Sequence, residues 1–210
     1  MTLIAFDLDG TLTDTLESIV TALNKTLLHF NLPQHSLDEA RKMIGFGAEI
    51  LIQKAVQSDS KEFLDTVLEH YMKNLLKEQL NAYVFKGIRQ LFDQLNFKGY
   101  KIAITSNRQK QNLKIFVHNM NLNVDCIIGV SEEIKPKPDK CMIDQLRKLY
   151  PGYRIILVGD TEIDYKTATN AEIDSIIVSY GFRTVEELNY HGVTNPVGSV
   201  KELTQLLLNW

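Results

Sequence analysis

Two cysteines, Cys126 and Cys141, are all the thiols in this 210-residue chain, and no C-x-x-C spacing exists. A zinc site built on thiolates is therefore not expected, and the usage fits a reducing compartment. Cys126 opens the apolar run Cys126-Ile127-Ile128 and reads as a small buried hydrophobe. An excess of basic charge is also missing. Lys and Arg number 23 against 26 Asp and Glu, a formal net charge of -3. That argues against nonspecific nucleic-acid binding, which needs a basic surface, but still allows a local basic pocket for an anionic metabolite. No apolar run approaches the ~18 residues of a membrane span. No basic segment leads into a long apolar stretch near the N-terminus. Repeats and low-complexity segments are absent, and the five histidines show no ligand-like spacing. Gly45-x-Gly47 lacks a preceding strand and a third glycine, so it is no dinucleotide fingerprint. The expectation is a soluble cytoplasmic protein with neither nucleic-acid nor membrane partners.

What is present is an ordinary globular balance, 44% apolar and 23% charged, enough for one large domain or a core with a small insert. Five apolar runs read as short strands covered on both faces. They are Leu3-Ile4-Ala5-Phe6, Lys101 to Thr105, Cys126 to Ile128, Arg154 to Val158 and Ser175 to Val178. Helical patterns lie between them, around Leu91 and Leu95, over Gln111 to Met120 and over Cys141 to Tyr150. Alternating strands and helices imply an α/β fold with a parallel, Rossmann-like sheet. The region from Thr15 to Tyr83 breaks the rhythm. Ile19, Leu23, Thr26, Leu27 and Phe30 keep helical spacing, as do Phe63, Val67, Leu68, Tyr71, Leu75 and Leu76. About seventy helical residues exceed what a single crossover needs. The segment reads as an inserted α-helical cap, with domains at 1-14 plus 84-210 and at 15-83. A last apolar helix covers Leu203 to Leu208.

Four polar clusters each follow one of the expected strands. The first is Asp7-Leu8-Asp9-Gly10-Thr11. Two carboxylates two residues apart share one side of an extended chain, and Gly10 lets the backbone turn. Such a site can hold a divalent cation and offer one carboxylate as nucleophile and the other as acid/base. Turn and cap chemistry would explain one Asp; it explains a bracketing pair less well. The second is Thr105-Ser106-Asn107-Arg108, whose hydroxyls and amides suit phosphate oxygens if the loop opens a helix. Taken alone it is equally a helix cap. The third is Lys135-Pro136-Lys137-Pro138. Prolines stiffen this turn, and Lys135 is expected to project into the site as a point charge, with Lys137 left in solvent. The fourth is Gly159-Asp160-Thr161-Glu162-Ile163-Asp164. Its two acids, four apart, share a face if a helix starts near Asp160 and can complete an oxygen shell for Mg²⁺. Parallel strands place their C-terminal ends on one edge, where ligands bind in α/β sheets. One convergent site explains all four clusters together.

With those residues in view, the chain resembles the haloacid-dehalogenase-like hydrolase superfamily, and most of all its phosphoglycolate-phosphatase-type members with a helical cap. The family pattern D-x-D-G-T matches Asp7 to Thr11, its hydroxyl motif Thr105, its K-P-x-P lysine Lys135, and G-D-x-x-x-D matches Asp160 and Asp164. The resemblance implies sheet order 5-4-1-2-3 with the cap inserted after the first motif. It implies that Asp7 attacks phosphorus and becomes an aspartyl phosphate, and that Asp9 acts as general acid, then base. It implies Mg²⁺ held by Asp7, the Asp9 backbone carbonyl and Asp160, with Asp164 in support. Thr105 and Lys135 would bind phosphoryl oxygens, with Gly10, Ser106 and Asn107 as further phosphate contacts.

Arg41, in Arg41-Lys42-Met43-Ile44-Gly45-Phe46-Gly47, resembles a cap-loop residue that meets a substrate carboxylate. It reads equally well as a helix end stabilised by the dipole. His29, His35 and His191 read as surface or cap residues. Three positions depart from the family pattern. Arg108 stands where many relatives have Lys, Leu16 where a proline often follows the pair here written Asp14-Thr15, and Glu172 where Gly is usual. The implied activity is Mg²⁺-dependent hydrolysis of a small phosphorylated metabolite such as phosphoglycolate, by a monomer or weak homodimer. The alternatives are a phosphomutase of the beta-phosphoglucomutase kind, an inorganic pyrophosphatase, and, from a different class, a non-catalytic phosphoacceptor module.

Overall fold

A computed structural model describes residues 1–210 apart from the side chain of residue 81. The chain divides into two compact units, Met1–Thr13 with Val84–Trp210, and Asp14–Tyr83. In chain order the strands are β1 (Thr2–Phe6), β2 (Thr13–Asp14), β3 (Tyr83–Val84), β4 (Lys101–Gln109), β5 (Cys126–Val130), β6 (Arg154–Gly159) and β7 (Asp174–Ile177). The helices are α1 (Leu16–His29), α2 (Leu37–Met43), α3 (Ala48–Val56), α4 (Lys61–Glu78), α5 (Ile88–Phe97), α6 (Lys110–Asn119), α7 (Cys141–Leu149), α8 (Glu162–Asn170), α9 (Val185–Tyr190) and α10 (Val200–Leu208).

In the first unit the five long strands form one sheet in the order β5-β4-β1-β6-β7, with every neighbouring pair parallel. Counting these five in chain order from one edge gives 5-4-1-2-3. β1 is central because it is apolar on both faces. Leu3 and Ala5 point into a cluster with Met142, Ile143 and Leu146 of α7 and Ala168 of α8. On the other face Phe6 meets Phe92 of α5, ring centroids 5.2 Å apart. Cys126 packs half-buried against the first cluster, and burial pushes its thiol pKa up. Phe6 pairs with Ile104 on one side and Val158 on the other. The chain therefore leaves β1, β4 and β6 at one edge, in adjacent positions.

The second unit is helical. α1 buries Ile19, Val20, Ala22, Leu23 and Leu27; α4 buries Val67, Tyr71 and Leu75. This is the three-to-four spacing an amphipathic helix needs. Asn74 Nδ2 donates to Thr26 Oγ1 at 3.0 Å, a half-buried polar tie between the two helices. Leu76, expected on the apolar face, is instead exposed, because it follows Leu75 by one residue and so points about a quarter-turn away. Arg41 and Lys42 lie in the last turn of α2. Among the described residues no helix is long and apolar enough to cross a membrane.

Candidate active site

Asp7 is the first residue beyond β1, and its N–H donates to Val158 O at 2.7 Å, carrying the register of the sheet one residue further. The chain then turns through Leu8-Asp9-Gly10. The N–H groups of Leu12 and Thr13 both bond Leu8 O at 3.0 Å. Gly10 has φ +83°, and a Cβ there would collide with the Asp160 carboxylate, so glycine is required by space as well as by conformation. Across the sheet, Asp160 lies just beyond β6. Its Oδ1 accepts from Thr11 Oγ1 at 3.0 Å and its Oδ2 from the Phe182 N–H at 2.7 Å. Asp164 sits in the first turn of α8. A Cβ on Gly159 would strike its carboxyl group.

Carboxylate oxygens of Asp7, Asp160 and Asp164 all lie within 4.8 Å of one another. Lys137 joins them. Its Nζ donates to Asp7 Oδ1 at 2.7 Å and to Asp164 Oδ1 at 2.6 Å. Burial raises Asp7 to about 7 against the lowering pull of Lys137, with Asp164 and Asp9 pushing the same way as burial. Asp160 is raised well above its usual range by burial and by the charges of Asp7 and Asp164. Burial works against the Lys137 ammonium, but Asp164 and Asp7 outweigh it and raise its pKa. The Lys-Pro-Lys-Pro expectation is thereby reversed. Lys137 has 3% of its side chain exposed, whereas Lys135 has 77% exposed and stands 4.0 Å from Asp139.

A helix does start near Asp160: α8 begins at Glu162, with Thr161 in the N-cap position. Asp164 closes the cap, its Oδ2 accepting from Thr161 N–H at 3.2 Å and from Thr161 Oγ1 at 2.8 Å. Its other oxygen, Oδ1, accepts from Lys137. One further expectation changes: the segment Thr105 to Arg108 does not itself open a helix. β4 runs on to Gln109, losing register with β5 between Ser106 and Gln109, and α6 starts at Lys110.

Thr105 is fully buried, and its Oγ1 has no hydrogen-bond partner among the described residues. A buried hydroxyl with no partner costs about 1–3 kcal/mol, which a bound acceptor would recover. Ser106 is buried, its Oγ accepting from Arg108 N–H at 3.3 Å. Asn107 does not sit loose beside them. It bonds the main chain of Lys137 on both sides, Nδ2 donating to O at 3.0 Å and Oδ1 accepting from N–H at 2.6 Å. Asp9 is held in a fork by Arg108, whose Nε donates to Oδ2 and Nη2 to Oδ1, each at 2.6 Å. The guanidinium lies over the Phe116 ring, 4.4 Å from its centroid. The Asp9 side chain therefore faces the guanidinium rather than joining the three acids. Arg41 belongs to the helical unit, where its Nε is 3.8 Å from Asp38.

Beyond the four motifs, the structure adds Phe182 and the buried pair of Arg183 with Glu162, Nε to Oε2 2.8 Å. Burial raises Glu162, and its bond to Arg183 more than offsets this, leaving it below its ordinary value. Together they fix the turn that points the Phe182 N–H at Asp160. No local pattern marks these residues; Phe182 lies 22 positions from its partner.

Three acids at one strand edge, backed by a lysine and an open hydroxyl, form the candidate active site. The chain matches the haloacid dehalogenase-like hydrolase family over residues 4–178 and belongs to it. It is 27% identical over 187 residues to the phosphoglycolate phosphatase of Aquifex aeolicus (strain VF5), covering 87% of this chain and 86% of that protein. The phosphoglycolate phosphatase of Pseudomonas savastanoi pv. phaseolicola is 25% identical over 218 residues, with 98% and 78% covered. The crystal structure of a predicted phosphatase from Clostridium acetobutylicum shares the fold with a TM-score of 0.89 and 25% identity, covering 100% of this chain and 99% of that one.

Proposed function

We propose that this protein is a Mg²⁺-dependent phosphatase of a small phosphorylated metabolite, with phosphoglycolate as the first candidate, working through an aspartyl phosphate on Asp7. The observation that carries the reading is the cluster of Asp7, Asp160 and Asp164, bridged by Lys137. Three buried carboxylates offer only oxygen, the donor set a hard divalent cation takes. Asp7, Asp160 and Asp164 would hold Mg²⁺, which when bound supplies positive charge beside the attacking carboxylate and the phosphoryl oxygens. The helical unit of residues 14–83 is read as the cap that selects the substrate.

The chain's own groups supply the rest. Asp7 attacks phosphorus through a carboxylate oxygen, and the ester oxygen leaves. Lys137 neutralises the charge that gathers there, and the Thr105 hydroxyl donates to a phosphoryl oxygen. Asp9 gives a proton to the leaving alkoxide. It then takes one from the water that attacks the aspartyl phosphate, releasing phosphate and restoring Asp7. In the structure both Asp9 oxygens are occupied by Arg108. With both oxygens accepting from the guanidinium, neither is free to carry the proton that an acid gives, so Asp9 can act as an acid only after the guanidinium lets go. An arriving substrate anion is a competing partner for that guanidinium.

The test is a phosphate-release screen of phosphoglycolate, pyrophosphate, sugar phosphates and nucleotides, with Mg²⁺ and with EDTA. Release that needs Mg²⁺ and is fastest with phosphoglycolate is expected. Release unaffected by EDTA would remove the metal from the reading, and no release from any compound would remove the activity.

A further inference from the structure

The segment Lys135-Pro136-Lys137-Pro138 is self-similar. Slid by two residues it presents the same sequence, and in an extended chain a two-residue slip returns side chains to the same face. Stiff prolines therefore cannot decide which lysine enters the site. Nor can an ordinary strand ladder hold the segment, since Pro136 and Pro138 have no N–H to give. Lys137 is nonetheless the residue inside, 3% exposed, and Lys135 the one outside.

Asn107 grips Lys137 by both main-chain groups, at 3.0 Å and 2.6 Å, as a neighbouring strand would. It lies in the irregular end of β4, where register with β5 is lost. One residue further on, Asn170 Nδ2 donates to Pro138 O at 2.9 Å. We propose that Asn107 is a positioning residue that sets the register of the Lys-Pro-Lys-Pro segment and so selects Lys137, not Lys135, as the cation between Asp7 and Asp164. Asn107 then acts through Lys137 and not by touching substrate. The catalytic part rests on the phosphatase reading above; the register part does not.

Two readouts separate these parts. Reductive methylation with formaldehyde and borohydride, mapped by peptide mass spectrometry, reports which lysine is accessible without any turnover. In the wild type Lys135 is modified and Lys137 protected. In Asn107→Ala, modification of Lys137 rises severalfold while the protein still melts cooperatively. Asn107→Asp keeps the acceptor for the Lys137 N–H, loses the donor, and falls between. Lys137 protection unchanged in both variants overturns the proposal.

Turnover of p-nitrophenyl phosphate with Mg²⁺ supplies the second readout. Asn107→Ala lowers kcat about 10- to 100-fold, the usual range for a supporting residue, with KM little changed. Added to Lys137→Met, it lowers kcat by less than about twofold, because residues acting through one another are not additive. A full additional loss in the Lys137→Met background would show that Asn107 acts on substrate directly and would overturn the positioning role. A wild-type protein without phosphatase activity would sink the phosphatase reading and leave the methylation result to decide the register.

Discussion

Replacing Lys137 by Met removes the ammonium shared by Asp7 and Asp164 and keeps most of the stem's volume. The two bonds, 2.7 Å and 2.6 Å, are buried. Removing one side of a buried ion pair costs roughly 3–5 kcal/mol, because the remaining charges stay desolvated. At about 2–4 °C per kcal/mol for a chain of this size, Tm in EDTA should fall by roughly 6–20 °C. Asp7 will meet part of that loss by taking up a proton. Lys137 is one of the groups that hold its pKa down to about 7, so the smaller drop belongs to acid pH and the larger to pH 8. Loss of a charge that stabilises the transition state should lower kcat about 10²–10³-fold. Lys135→Met is the control. Its ammonium is exposed and 4.0 Å from Asp139, and such pairs contribute less than about 1 kcal/mol. It should melt within a few degrees of wild type and turn over normally. Differential scanning fluorimetry and phosphate release measure both. A Lys135→Met protein that loses activity while Lys137→Met keeps it would refute the assignment.

Asp9→Asn should slow turnover by about 10²–10⁴-fold and also lower Tm, since its charged fork with Arg108 is lost; wild-type rates would take Asp9 out of proton transfer. Glu172 has φ +53° at the end of α8, and its N–H and that of Ile173 close the helix on Thr169 and Ala168. Glycine suits that position, so Glu172→Gly should stabilise by about 1 kcal/mol and raise Tm by about 2–4 °C; a fall would count against the left-handed turn. Mg²⁺ should raise Tm more at pH 8 than at pH 5.5. Asp7 in the metal-free protein sits near 7, above its unfolded value of about 3.9, so its protonation favours the folded state at low pH. That contribution fades as pH rises through about 7, where a cation can take the proton's place. Equal Mg²⁺ shifts at the two pH values would contradict proton–metal competition at these acids.

The sheet was legible because its strands are buried on both faces. Leu3 to Phe6, Ile102 to Ile104 and Ile155 to Val158 are unbroken apolar runs, and burial on two sides leaves no room for alternation. The ends of β1 and β6 were legible for a related reason. Acids directly after such runs have no core to enter, and a parallel sheet puts the ends of its strands at one edge. The α1 and α4 faces followed from spacing, with Leu76 misplaced because a run of two leucines does not say which one turns inward.

What the sequence left hidden depends on partners far along the chain. Thr11 and Phe182, which take up the two oxygens of Asp160, lie 149 and 22 residues away. Asp9 looked available because Arg108 is 99 residues away. The lysine choice failed for a sharper reason: Lys135 and Lys137 are each followed by proline and stand two residues apart, so the Lys-Pro pattern alone does not separate them. A degenerate segment needs an external reference, and here Asn107 provides one from 30 residues away. The two-residue repeat was itself a usable signal. Where a catalytic cation lies within a self-similar segment, the fold must contain a group that counts its residues, and the polar side chains at the ends of neighbouring strands are the place to look for it.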